Sequence, residues 1–218
     1  TLAQRALGDL QKCDILTLTD DSAWRGVDAP IPTAMVFHIV WHGWVRRHRP
    51  LRQILWNKPE SLVYKHMEVK ICRNADAIVS ISPNMREDIS LVGEANNKVV
   101  DIPNGVNTDR FSPATGTSND KFTVYFQGRL INMKNPHLLV KAAAQSTEKW
   151  RLVFGGSGPV RDKLEHLVRE HDLVDRIEFL GHVPDTELPG RYASADLFAL
   201  PSDYEGMPLT LLEAAASA

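Results

Sequence analysis

The feature that most constrains this chain is an alternation of short apolar runs with segments of helical spacing, played twice on either side of one polar stretch. Strands and helices in strict alternation pack as parallel sheets covered by helices, so the pattern selects an α/β architecture. In the first set, Leu2, Ala6, Leu7 and Leu10 sit at helical spacing and an extended run follows over 14–18. A strand is expected over 32–41, an amphipathic helix over 57–74, and further strands over 77–81 and 98–102. Ser82-Pro83 predicts a helix start, with a hydroxyl at the cap and proline at the first position. Residues 107–120 (NTDRFSPATGTSND) read as a linker. The second set predicts strands over 122–126, 151–154, 177–180 and 196–200. Helices are expected over 135–147, 159–171 and 185–193, with a last one from Pro208. Two α/β units joined by that linker follow, over 1–112 and 113–218.

Bulk properties narrow the function classes. The formal net charge is -2 and the sequence pI about 6.4, so no global basic field argues for nucleic acid and any anion site must be local. Two cysteines, Cys13 and Cys72, show no metal spacing and exclude a disulfide scaffold, which suits a reducing compartment. No apolar run approaches the roughly 18 to 20 residues that cross a bilayer. The opening residues lack the pattern of a signal peptide. The expected location is cytoplasmic.

In open α/β sheets, ligands bind on the loops outside the carboxyl ends of the strands. Four such loops in the second set have unusual content. They are Gly128-Arg129 running to Lys134, Gly155-Gly156-Ser157-Gly158-Pro159, Gly181-His182-Val183-Pro184, and Pro201 to Pro208 entering a helix that carries Glu213. Each has a plain reading as well. The glycine-rich turn can be only turn chemistry, Arg129 and Lys134 solvated charges, and acidic residues at a helix start a complement to its dipole. The last loop is more specific. Gly206 admits a phosphate close to the backbone, Pro208 suits a helix start, and the helix N-terminus supplies donors and partial positive charge. Helical side chains lean toward the N-terminus, so Glu213 can reach back toward the same ligand.

Glu205-Gly206-Met207-Pro208-Leu209-Thr210-Leu211-Leu212-Glu213-Ala214 resembles the two-glutamate motif of retaining GT-B glycosyltransferases, the large family-four group (glycosyl transferases group 1). Gly128-Arg129 with Lys134, the GGSGP loop, Gly181-His182-Val183 and Ser194-Ala195-Asp196-Leu197 stand in that family's order. Pro103-Asn104-Gly105-Val106-Asn107 with Phe111 looks like its domain-linking motif, Asn107 replacing the more usual aspartate. The resemblance implies two Rossmann-like domains facing a cleft and a nucleoside-diphosphate sugar as donor substrate. It implies that Arg129 and Lys134 bind the diphosphate and stabilise the leaving charge. Gly156, Gly206, Met207, Pro208 and Leu209 would line the donor site, and Glu205 would hold hydroxyls of the transferred sugar. Glu213 would hold the ribose, and His182 and Val183 would face the base. No suitably placed Asp-x-Asp motif is present, so a metal and a separate cofactor are not expected.

In the first set, His38 at the end of an apolar strand resembles the histidine that meets the donor sugar in this family. His42 is its rival, and a satisfied core histidine is the plain alternative. Trp44 to Trp56 carries Arg46, Arg47, Arg49 and Arg52. This cluster is either a solvated face or a contact for an acidic acceptor or an anionic membrane surface, which would add peripheral membrane association. The acceptor class is a sugar, a glycolipid or another hydroxyl compound. Relative to a complete enzyme of this type, an initial strand with its glycine-rich loop and a final strand and helix are expected to be missing. Sugar transfer with retention is therefore the leading expectation. A nucleotide-sugar epimerase and a catalytically silent nucleotide-binding fragment are the alternatives.

Overall fold

The structure is a computed structural model, and it describes residues 16–19, 31–40, 58–93, 97–113 and 120–218. The chain divides into two compact units, with the division between Asn104 and Gly105.

In the first unit, β1 (Leu16–Thr19), β2 (Thr33–Phe37), β3 (Ala77–Ser80) and β4 (Val99–Asp101) form a parallel sheet in that order. Alternate residues of β2, namely Thr33, Met35 and Phe37, are buried. Helix α1 (Lys58–Asn74) leads to β3, and Lys98 closes its end by donating from Nζ to the carbonyls of Arg73 (2.6 Å) and Ala75 (3.0 Å). A cation there satisfies carbonyls that lack helical partners and complements the helix dipole. Helix α2 (Pro83–Val92) begins as expected: Ser82 Oγ accepts from the Met85 amide at 3.2 Å and Pro83 follows the cap. Met85, Ile89 and Val92, spaced by four and three, form its buried face.

In the second unit, β5 (Thr123–Gln127), β6 (Arg151–Gly155), β7 (Ile177–Gly181) and β8 (Leu197–Phe198) are parallel, in the spatial order β7-β6-β5-β8. Helices α3 (Pro136–Gln145), α4 (Arg161–Glu170), α5 (Leu188–Ala193) and α6 (Leu209–Ala216) connect or follow them. Strand β5 is buried on both faces, as parallel strands between two layers must be. One face packs Val124, Phe126, Leu152 and Phe154 against Val140, Leu164 and Val168, while the other packs Tyr125 and Val153 against Phe111, Leu188 and Tyr192. Phe111 thus belongs to the second unit's interior, with Val106 partly buried against it. Asn107 Oδ1 accepts from the amides of Asp109 (2.9 Å) and Arg110 (3.1 Å), a turn an aspartate would make with the same atom.

The two units share a device that has no obvious trace in their sequences. Asp76, just before β3, accepts from the Thr33 amide at 2.8 Å and returns its own amide to the Thr33 carbonyl at 3.0 Å. Asp196, just before β8, does the same with Thr123, at 2.7 and 3.0 Å. Each clasp ties the start of one strand to the neighbour that enters the sheet later.

Several expected boundaries shift. β8 has two residues, Leu197 and Phe198, rather than five, and pairs with β5 alone. Helix α5 starts at Leu188, three residues after the expected Asp185. Pro208 is extended (φ -71, ψ 120) and occupies the cap position, so α6 begins at Leu209 rather than at Pro208. Among the described residues, no helix is long and apolar enough to cross a membrane.

Candidate functional site

Four loops leave the carboxyl ends of the second sheet, and the spatial order of the strands decides which of them touch. The loop after β5 crosses that after β6 backbone to backbone. The Gly128 amide donates to the Gly155 carbonyl (3.0 Å) and the Leu130 amide to the Ser157 carbonyl (2.9 Å), with Leu130 itself fully buried as an anchor. Gly156 has φ +117, and a Cβ there would overlap the Gly128 carbonyl oxygen and lie 2.9 Å from its carbon. Its amide donates to the Gly181 carbonyl at 2.6 Å. The structure therefore gives Gly156 a packing reason of its own, independent of any ligand.

After Gly128 the chain reaches a short 3-10 turn, Asn132–Lys134, which ends at Asn135 in the left-handed region (φ 47). Asparagine tolerates that conformation better than most residues. Asn135 Nδ2 donates to Asp203 Oδ1 (2.6 Å) and to the Pro201 carbonyl (3.2 Å), and the Asp203 amide donates to the Met133 carbonyl (2.9 Å). These three bonds rivet the loop after β5 to the loop after β8. The result is an ion pair: Lys134 Nζ stands 2.6 Å from Glu205 Oε1, their side chains 17% and 24% exposed. Ser202 Oγ donates to the same oxygen at 2.7 Å. The lysine stem runs over Gly128, whose absent Cβ would lie 3.3 Å from Lys134 Cδ.

Gly206 and Met207 follow Glu205 directly and lead to α6, whose first amides, those of Leu209 and Thr210, have no acceptor one turn back. On α6, Glu213 Oε2 accepts from Tyr192 Oη at 2.8 Å. The Lys134–Glu205 pair and the N-terminus of α6 thus lie on loops at the carboxyl end of the second sheet, with Glu213 one turn into that helix. That set can hold a polyhydroxylated anion. Arg129 lies on the same loop as Lys134 and is exposed. His182 is exposed, whereas the Val183 side chain is buried in the core, so only the backbone at Val183 can face a ligand. His38 is exposed and immediately follows β2 in the first unit. His42 and Arg46, Arg47, Arg49 and Arg52 lie outside the described residues.

Sequence reasoning missed Ser202, Tyr192 and the Asn135–Asp203 rivet. Ser202 stands three residues before Glu205 in the loop already singled out, a signal that was available. Tyr192 reads in sequence as one more apolar position of a short helix.

Burial raises the Tyr125 hydroxyl to about 12, and it pushes Tyr192 well above the usual tyrosine value, helped by the bond to Glu213. The unfolded chain ionises its tyrosines near pH 10, while the folded unit keeps these two protonated. Stability is therefore complete below about pH 10 and falls as the pH rises above it, by about 1.4 kcal/mol per pH unit for each tyrosine. Urea titrations from about pH 8 to about pH 11.5 should show this decline, and Tyr192→Phe should make it shallower. A flat profile would contradict the burial assigned to both rings.

The fold is that of the GT-B glycosyltransferases. Anabaena HepE, solved with UDP and glucose, superposes with a TM-score of 0.82 at 19% identity, over 99% of this chain and 60% of that one. Sucrose-phosphate synthase from Thermosynechococcus elongatus gives 0.82 at 23% identity, over 97% and 56%. Residues 107–218 match the model of glycosyl transferases group 1 and residues 3–110 that of glycosyltransferase family 4. The chain belongs to the glycosyl transferases group 1 family. It is 35% identical over 173 residues to a D-inositol 3-phosphate glycosyltransferase of Kineococcus radiotolerans, covering 69% of this chain but only 40% of that relative.

Proposed function

We propose that this protein transfers a hexose-type sugar from a nucleoside-diphosphate donor to an acceptor hydroxyl, with retention at the anomeric carbon and without a metal ion. The observation that carries the reading is the meeting of Lys134 and Glu205 at 2.6 Å beside Gly206. In this reading the diphosphate lies against Lys134, Arg129 and the amides that open α6, and the sugar hydroxyls lie against Glu205. The bond from the anomeric carbon to the phosphate oxygen breaks with its electron pair going to the diphosphate. Lys134 and Arg129 balance that charge. The acceptor oxygen bonds to the same face of the carbon, and its proton passes to the departing phosphate. Glu213 takes the ribose hydroxyls, and the backbone at His182 and Val183 borders the base. The UDP bound in the HepE crystal structure supports a nucleoside diphosphate as the donor's leaving group. His38 is the first unit's proposed contributor, and a sugar or glycolipid the proposed acceptor.

The test is turnover by the full-length protein. A panel of UDP-, GDP- and ADP-sugars is first screened by thermal shift, where a ligand at 100 times its dissociation constant adds about 2.7 kcal/mol. The selected donor is then incubated with and without acceptor. Product that needs the acceptor and retains the anomeric configuration supports the proposal. An epimerised donor formed without acceptor would replace it with the epimerase reading.

A further inference from the structure

The two glutamates of the site are held by opposite means. Glu205 is paired with an ammonium, which compensates its charge. Glu213 is held through Oε2 by a neutral phenol, that of Tyr192. The difference matters, because a neutral donor can orient a carboxylate without cancelling the charge that makes it a strong acceptor.

Tyr192 is well placed to orient. It sits on α5, is 4% exposed, and has its ring edge-on to three others: Phe198 at 5.5 Å, Tyr125 at 5.6 Å and Phe111 at 5.9 Å. A ring clamped on several sides in a close-packed interior keeps its rotamer, so the hydroxyl has a fixed place. A glutamate side chain has two staggered torsions and a broad terminal one, and unaided it scatters its carboxylate over many directions. Pinning Oε2 leaves Oε1 with one direction.

We propose that Tyr192 is a positioning residue that locks Glu213 so that its second oxygen meets the ribose hydroxyls of the donor nucleotide. The inference rests on the ribose assignment of Glu213 proposed above. It makes selectivity for a ribose, rather than affinity in general, depend on a hydroxyl that touches no ligand.

The experiment is calorimetry on the full-length protein with the nucleoside diphosphate chosen by the thermal screen and with its 2′,3′-dideoxy analogue. The wild type is expected to prefer the ribonucleotide by about tenfold or more, the range of hydrogen bonds to a charged acceptor. Tyr192→Phe should bring that preference to within about twofold and leave the affinity for the dideoxy analogue nearly unchanged. A merely structural tyrosine would weaken both ligands alike. If Tyr192→Phe keeps the preference while Glu213→Ala loses it, the positioning role is overturned and the ribose assignment stands. If the wild type shows no preference, or Glu213→Ala keeps it, the ribose assignment falls and the positioning role with it. Should the phenylalanine variant fail to fold, a structure of the wild type with the nucleoside diphosphate decides. Glu213 still bonded to Tyr192 while touching the ribose supports the proposal, and Glu213 turned away from Tyr192 overturns it.

Discussion

Replacing Lys134 with alanine should lower kcat of the full-length protein by roughly 10²–10³-fold, the usual effect of removing one fixed donor from a developing oxyanion. Two effects act together. In the proposed mechanism the ammonium that would balance the departing diphosphate is gone, and Glu205 keeps a half-buried carboxylate whose remaining described partner at Oε1 is Ser202, at 2.7 Å. An ammonium has three donors, so Lys134 can keep Glu205 at 2.6 Å and still donate hydrogen bonds to a phosphate. Lys134→Arg is expected to rescue little. The lysine stem lies against Gly128, and a planar guanidinium fork needs a different approach to the same carboxylate. Steady-state kinetics beside a thermal melt checks this. A loss of kcat with a nearly unchanged melting temperature supports the assignment, and an unchanged kcat for the alanine variant would remove Lys134 from the chemistry.

The largest effect on stability is expected from Gly156→Ala. The new Cβ would run into the Gly128 carbonyl group, and φ +117 strains any L-residue whatever the space available. The overlap is with backbone that is itself tied to Gly155, so no side chain can step aside. Strain and overpacking together should destabilise by about 3 kcal/mol or more, a large share of the roughly 5–15 kcal/mol that holds a domain. The melting temperature of the second unit should fall by more than about 10 °C. Gly190→Ala is the control: it lies in α5, nothing is within 4 Å of its Cβ, and it should be neutral or slightly stabilising. Equal melting temperatures for the two variants would show that the crossing at Gly128 is not rigid.

Periodicity and turn chemistry made most of this architecture legible. The strand-helix order, the Ser82-Pro83 helix start and the glycine-marked strand ends are local properties, set by residues within one turn or one strand of each other. The four loops could be named for the same reason: in a parallel sheet every one must emerge at the carboxyl edge. Contact between loops is a different matter. Lys134 and Glu205 are 71 residues apart, and they meet because β5 lies between β6 and β8, which makes the first and last loops of the unit neighbours. Nothing local to either residue carries that order. The same holds for Tyr192 with Glu213, for the two Thr–Asp clasps, and for Val183, whose apolar side chain turns into the core beside a motif expected to face the base. Composition and spacing decided what each segment is, because secondary structure answers to short-range sterics and hydrogen bonding. Packing of non-adjacent strands decided which charged groups share a site, because only closure of the sheet brings distant loops within bonding distance.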